Sequence, residues 1–131
     1  MKIGNDIVKY TESHEWIKIN GDIGTVGISK YAQQELGEIV YVELPMVGCN
    51  VLADEAIVVL ESTKAAADVY TPVSGCILSV NESLREDLAS INECPETIGW
   101  LYTIRLAEPL ELDVLLDRNN YLKRIGLNVV P

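Results

Sequence analysis

With 131 residues the chain has room for one domain with a modest core. Two Trp, six Tyr and no Phe mean that this core is built mainly from Ile, Val, Leu and Ala. Twenty acidic side chains against ten basic ones leave a net charge of −10, which opposes nucleic-acid backbones and anionic membranes and suits partners with basic docking faces. The longest apolar runs are too short to span a bilayer. Met1 to Asp6 has neither a secretory apolar core nor the Arg-rich, acid-poor character of an organellar presequence. A bacterial cytoplasm is the expected location, with a processed organellar protein as the alternative.

In chain order, Trp16-Ile17-Lys18-Ile19 alternates and meets Asn20-Gly21-Asp22, a hairpin turn from which residues 23 to 28 return. Both segments read as half-buried antiparallel strands. Ser29 is placed to cap a short helix over residues 30 to 36, and Gly37 fits its exit. Residues 39 to 44 form the next strand, ended by Pro45, and Gly48 and Asn50 mark a turn. Strands over 56 to 60, 67 to 71 and 76 to 80 follow, the last two separated by the turn Pro72-Val73-Ser74-Gly75. Gly75 is expected at positive φ there, and Gly27 at a close approach between strands. Ser83 is expected to cap a helical stretch reaching Ser90, and residues 101 to 106 read as a late strand. From Pro109 onward, Leu110, Leu112, Val114-Leu115-Leu116 and Tyr121-Leu122 fit a helix or helix pair laid on the sheet. Cys49, Cys76 and Cys94 form no C-x-x-C pair, and a single His gives a zinc site little support. Cys76 reads as a small core residue, and Cys49 and Cys94 as exposed beside turns. The sum is a mainly β, two-sheet domain.

Lys64 carries the chemistry. It sits between the apolar run Ala56 to Leu60 and a second strand-like segment, and is followed by Ala65-Ala66-Ala67. Buried in either strand, its ammonium would be costly to desolvate. At a hairpin turn it is open to another protein, and the small residues after it leave room for an active site to close over it. That pattern points to a modified carrier rather than a catalyst.

Glu61-Ser62-Thr63-Lys64-Ala65-Ala66-Ala67-Asp68-Val69-Tyr70 with Gly75 resembles the lipoyl-lysine segment of the glycine cleavage system H protein family. The likeness extends from Tyr10-Thr11-Glu12-Ser13-His14-Glu15-Trp16 through Gly27-Ile28-Ser29, Ala32-Gln33, Leu36-Gly37 and Val42-Glu43-Leu44-Pro45 to Gly99-Trp100, with matching spacing. It implies a barrel-sandwich hybrid of lipoyl-domain type: two antiparallel sheets with short peripheral and C-terminal helices. Residues 1–131 would be one lipoyl-carrier domain, with a core at about 10–106 and a helical extension at about 108–125. The implied cofactor is (R)-lipoate in amide linkage to Lys64. The implied function is a non-catalytic shuttle, taking an aminomethyl group from the pyridoxal-phosphate glycine decarboxylase to the tetrahydrofolate-dependent aminomethyltransferase. Reducing equivalents then pass to dihydrolipoyl dehydrogenase, and a lipoate ligase or octanoyltransferase attaches the arm.

The resemblance assigns Glu61, Ser62 and Glu43 to recognition by the attaching enzyme, and Ser13, Glu15 and Asp68 to a pocket for the aminomethyl-loaded arm. From the residues alone, Ser13 is an edge-strand hydroxyl and Glu15 and Asp68 are solvated surface acids. His14 reads as bonded to a backbone carbonyl beside Trp16, not as a general base. The chain departs from the family at Thr63, where valine is usual, at Leu88, where proline is common, and at Glu96, where an aromatic residue usually follows Pro95. The Glu96-Thr97-Ile98 loop reads as part of a partner-docking face, where these changes bear on partner fit more than on lipoylation. The alternatives are an H-like lipoyl store or donor for other lipoyl enzymes, a structural domain with unmodified Lys64, and a stand-alone enzyme. A biotin carrier is disfavoured because Thr63 and Ala65, not methionines, flank the lysine.

Overall fold

The computed structural model describes residues 7–126. Nine strands form two antiparallel sheets: β1 (Ile7–Tyr10), β2 (Glu15–Asn20), β3 (Ile23–Ile28), β4 (Ile39–Glu43), β5 (Asn50–Val51), β6 (Ala56–Ser62), β7 (Ala66–Tyr70), β8 (Gly75–Val80) and β9 (Tyr102–Leu106). The larger sheet has the order β1-β2-β3-β9-β8-β5, and the smaller β4-β6-β7. Gly21 makes the β2–β3 turn at φ 65°, a left-handed conformation that glycine adopts without a Cβ penalty. The register then pairs Asn20 with Ile23. Between the sheets, Ile17, Val26, Ile39, Val58, Leu60, Val69, Ile77 and Ile104 are almost wholly removed from water. This aliphatic core is the one the composition implies.

Strand β2 departs from simple alternation, because Glu15, Trp16 and Ile17 are all buried. Beside it in the sheet lies β1, a four-residue strand too short to stand out in the sequence, whose Tyr10 pairs with Trp16. The face bearing Trp16 is covered by the C-terminal helix α3, which follows α1 (Lys30–Leu36) and α2 (Ala89–Glu93) and spans Arg118–Arg124. Tyr10, Trp16 and Tyr121 form a second apolar cluster there, with the Tyr10 and Tyr121 rings stacked at 4.5 Å. Trp16 turns its indole over Gly27, its cross-strand partner, where an added Cβ would lie 2.7 Å from the ring. The indole N–H donates to the Pro95 carbonyl at 3.0 Å.

Helix α1 begins and ends as its sequence signals. The Ser29 hydroxyl accepts from the Ala32 N–H at 3.1 Å, and Gly37 closes the helix at φ 85°. The stretch after β8 differs from expectation. It is a 3-10 turn at Glu82–Arg85 followed by α2, and Ser83 lies inside that turn, donating to Asn81 Oδ1 at 2.7 Å rather than capping a helix. The C-terminal pair is a 3-10 segment at Pro109–Val114 and then α3. The three cysteines are free and all half-buried, so neither the exposed placement of Cys49 and Cys94 nor the core placement of Cys76 holds.

Gly75 is also a correction: it lies outside the positive-φ region. Its need for glycine comes from the neighbouring strand, since a Cβ would run into the Arg105 carbonyl oxygen and lie 2.9 Å from Ile104. Backbone cannot yield as a flexible side chain can. Gly75→Ala should therefore destabilise the fold by about 3 kcal/mol. Gly21→Ala, with open space around it, should cost only about 1–2 kcal/mol for the left-handed φ. Urea unfolding midpoints of the two variants check the order.

Candidate functional site

Lys64 stands exposed at the tip of the β6–β7 hairpin, whose last ladder pair is Glu61 with Ala66. Alanines are poor turn formers, and the turn is made by Ser62, two residues before the lysine. The Ser62 hydroxyl accepts from the Lys64 N–H at 3.0 Å and the Ala65 N–H at 3.1 Å, and lies 3.2 Å from the Ala65 carbonyl as donor. This is the local hydroxyl-to-backbone bonding that favours turns over strands. Ser62 thus shapes the turn itself, whatever else touches it. The Thr63 N–H donates to the Glu38 carbonyl at 3.0 Å, which pins the tip to the start of β4. Below it, the Lys64 stem lies on Gly37: an added Cβ would sit 3.1 Å from Cε. An open cleft of about 1160 Å³ starts at this point, between Gly37, Glu38, Val40 and the Leu88–Asn92 region.

The remaining expected site residues divide into two groups. Val59 pairs with Glu43 on one side and Asp68 on the other, and Glu61 lies two residues along the same strand. Glu43, Glu61 and Asp68 therefore share the outer face of the smaller sheet, and all three are exposed. Ser13 and Glu15 are brought together elsewhere. Glu15 is only 2% exposed, which corrects its reading as a surface acid. Its Oε1 accepts from the Thr11 hydroxyl and, at 2.6 Å, from the Ser13 hydroxyl. Its Oε2 accepts from the Tyr70 N–H at 3.0 Å. Because Tyr70 ends β7, an edge strand of the smaller sheet, this one carboxylate links the two sheets and reaches the strand that carries Asp68. Burial raises the Glu15 pKa, and the bonds from Ser13, Thr11 and the Tyr70 N–H hold that rise down.

His14 lies between Ser13 and Glu15 at φ 78°, a region costly for residues with a Cβ. Its Nδ1 lies 2.9 Å from the Tyr121 hydroxyl, not beside a carbonyl near Trp16, and Tyr121 bonds Ser29 at 2.6 Å. Burial lowers the His14 pKa, and the Glu35 charge partly opposes this. Nothing in the sequence announced Tyr121, which read only as an apolar residue of the last helix. In the loop after Pro95, the Glu96 carboxylate accepts from the Lys30 N–H at 2.8 Å and from the Tyr10 hydroxyl at 3.3 Å.

A lipoyl group in amide linkage fits this geometry. It needs one exposed amine on a rigid turn with small neighbours, and Lys64 makes no ion pair among the described residues. Comparison with known proteins agrees. Residues 8–126 match the family model described as Glycine cleavage H-protein. A glycine cleavage system H protein of Parvibaculum lavamentivorans is 46% identical over 114 residues, 87% of this chain and 91% of that one. The Thermotoga maritima H protein is 48% identical over 113 residues, 86% of this chain and 91% of its own length. Among solved structures, the crystal structure of a glycine cleavage system H protein from Mycobacterium marinum superposes with a TM-score of 0.84 at 38% identity, covering 92% of this chain and 97% of that one.

The buried carboxylate has a pH signature. Because its folded pKa lies above the unfolded value, the native state binds the proton more tightly, and wild type gains stability as pH falls through the folded pKa toward about 4.5. Glu15→Gln cannot titrate. The stability of wild type relative to Glu15→Gln should therefore rise on acidification from neutral pH and level off below the unfolded pKa. The depressed His14 pKa acts in the opposite direction but cancels in the difference. Urea unfolding of both proteins across pH 4–7.5 measures it.

Proposed function

The chain belongs to the glycine cleavage H-protein family, and on that premise we propose that Lys64 is its lipoylation site. Its cargo would be the aminomethyl group released by the decarboxylase and accepted by the aminomethyltransferase, with dihydrolipoyl dehydrogenase reoxidising the arm. The observation that carries this reading is the exposed Lys64 amine on a turn locked by Ser62 and tied to Glu38. The bound group supplies the dithiolane chemistry; the chain supplies position and shelter. A rigid tip keeps the arm's root fixed, so one tether reaches successive active sites at a high effective concentration.

Ser13 and Glu15 are the proposed shelter. A carboxylate has about four lone-pair sites. Thr11, Ser13 and the Tyr70 N–H hold its two oxygens in place, and a cationic amine at the rim by Ser13 is its proposed further partner. That bond is charge-assisted and forms where water is largely excluded. Asp68, exposed on the outer face, adds a screened attraction on the approach. Glu61 and Glu43 on the same face are proposed to meet the attaching ligase or octanoyltransferase, whose closure over the tip the small Ala65-Ala66-Ala67 run allows.

Two experiments test this. Lys64→Arg keeps the charge but not the primary amine, so intact mass after co-expression with a lipoate ligase should show no added lipoyl mass, while wild type gains one. Lipoate mapped to Lys30 or Lys123 would refute the assignment. On lipoylated protein, Glu15→Gln should shorten the lifetime of the aminomethyl cargo in buffer by about tenfold or more, the equivalent of one charge-assisted bond. Asp68→Asn should shorten it less. Unchanged lifetimes in both folded variants would remove the shelter and leave the carrier.

A further inference from the structure

On the reading of Ser13 and Glu15 as the shelter, we propose that Tyr121 is its positioning residue: the hydroxyl, held between His14 and Ser29, fixes the strained turn that aims Ser13 and Glu15. The C-terminal helix would thereby set the site from behind without touching the cargo.

The direction of each hydrogen bond follows from the burial of Ser29, which is 0% exposed. Its oxygen accepts from the Ala32 N–H at 3.1 Å, and its single proton needs an acceptor. Among the described residues the acceptor at hand is the Tyr121 oxygen, 2.6 Å away. Tyr121 must then give its own proton to His14 Nδ1, 2.9 Å away, which fixes the neutral imidazole with its proton on Nε2. The chain runs one way, from the cap of α1 through Tyr121 to the shelter turn. Protonating His14 makes Nδ1 a donor, reverses the chain and leaves the buried Ser29 proton without an acceptor. Burial acts separately in the same direction on His14.

The turn needs this hold. His14 sits at φ 78°, and conformations of this kind persist only where surrounding structure over-determines them. Ser29 grips the same residue a second time, its N–H donating to the His14 carbonyl at 2.9 Å. Other groups facing the imidazole are Tyr31, with ring centroids 4.9 Å apart, and Glu35, both from α1. From α3, Arg124 pairs with Glu12 of the same turn at 2.8 Å. Glu15, the titratable group next in sequence, is already bonded by Ser13 and Thr11.

The test uses the full chain, and the sole histidine makes its imidazole signal unambiguous. Tyr121→Phe keeps the stack on Tyr10 and removes only the hydroxyl. NMR of the imidazole nitrogens should show the Nε2–H tautomer in wild type, with a titration midpoint below about 6.5. In Tyr121→Phe the tautomers should mix and the midpoint rise toward that value. Lipoylation by intact mass should be unchanged, while the cargo lifetime at neutral pH falls about tenfold. His14→Asn is the rescue: Asn tolerates the left-handed backbone and offers an acceptor to Tyr121. It should keep the wild-type lifetime at neutral pH and abolish any loss of lifetime that tracks the imidazole titration at lower pH. An unchanged imidazole in Tyr121→Phe would overturn the proposal outright. So would a relaxed imidazole with an unchanged lifetime, which would make Tyr121 a packing residue only. A wild-type lifetime equal to that of the same cargo on free dihydrolipoamide would instead strike the shelter reading, and this inference with it, even with the imidazole behaving as described.

Discussion

One buried carboxylate joins the two halves of this molecule. Glu15 leaves the larger sheet, takes hydroxyl protons from Thr11 and Ser13 and reaches the backbone N–H of Tyr70 on the smaller one. Burying such a charge is unfavourable unless its lone pairs are filled, and here three donors fill most of them. Edge strands leave backbone donors without ladder partners, and Glu15 satisfies one such group of β7. Holding a carboxylate in a dry place is costly for stability. Burial raises its pKa and the donors hold that rise down.

The lysine depends on the same frame through a different route. Ser62 closes the turn, Thr63 is tied to Glu38, and Gly37 leaves space for the Lys64 stem. Gly37 is the exit of α1, and the other end of α1 is capped by Ser29. A single two-turn helix therefore runs from the residue that contacts Tyr121 to the residue beneath the Lys64 amine. Neither the lysine turn nor the turn at His14 is built from one segment, and both lean on α1.

Where local chemistry decided the structure, the sequence was readable. Ser29 acts on the adjacent backbone through its hydroxyl, and Gly37 and Gly21 through their own φ, so their types reveal their positions. Lys64 was legible because an ammonium cannot be buried cheaply and the flanking runs read as strands. What escaped were effects created by tertiary contact. Strand β1 has too few residues to show a period, and Tyr121 of α3 joins its Tyr10 over Trp16, so Trp16 is buried on one face of β2 while Glu15 and Ile17 are buried on the other. Gly75 looked like a turn glycine, but its reason lies in a carbonyl from residue 105. The part Ser62 plays in the turn was hidden because its partners, the N–H groups of Lys64 and Ala65, come within reach only when the turn is formed. Tyr121 is separated by 107 residues from His14, and no local pattern spans that distance.

Glu96 shows how a departure from a family pattern can be absorbed inward. An acid after Pro95, where the family usually places an aromatic ring, reads as a change of surface. The side chain instead accepts from the first N–H of α1 at Lys30 and from Tyr10, and it lies 3.5 Å from Arg118 of α3. Arg118 in turn donates to the Tyr10 hydroxyl at 2.6 Å. As a half-exposed ion pair, Arg118 with Glu96 is worth little by itself. Its value lies in geometry: the carboxylate takes up an orphan donor at the start of α1 and closes a ring of polar contacts around the Tyr10–Tyr121 stack. These hydrogen bonds tie α1, α3 and β1 together. The helix bearing Tyr121 is thus held against the turn at His14 by polar ties at this end and by its hydroxyl at the other.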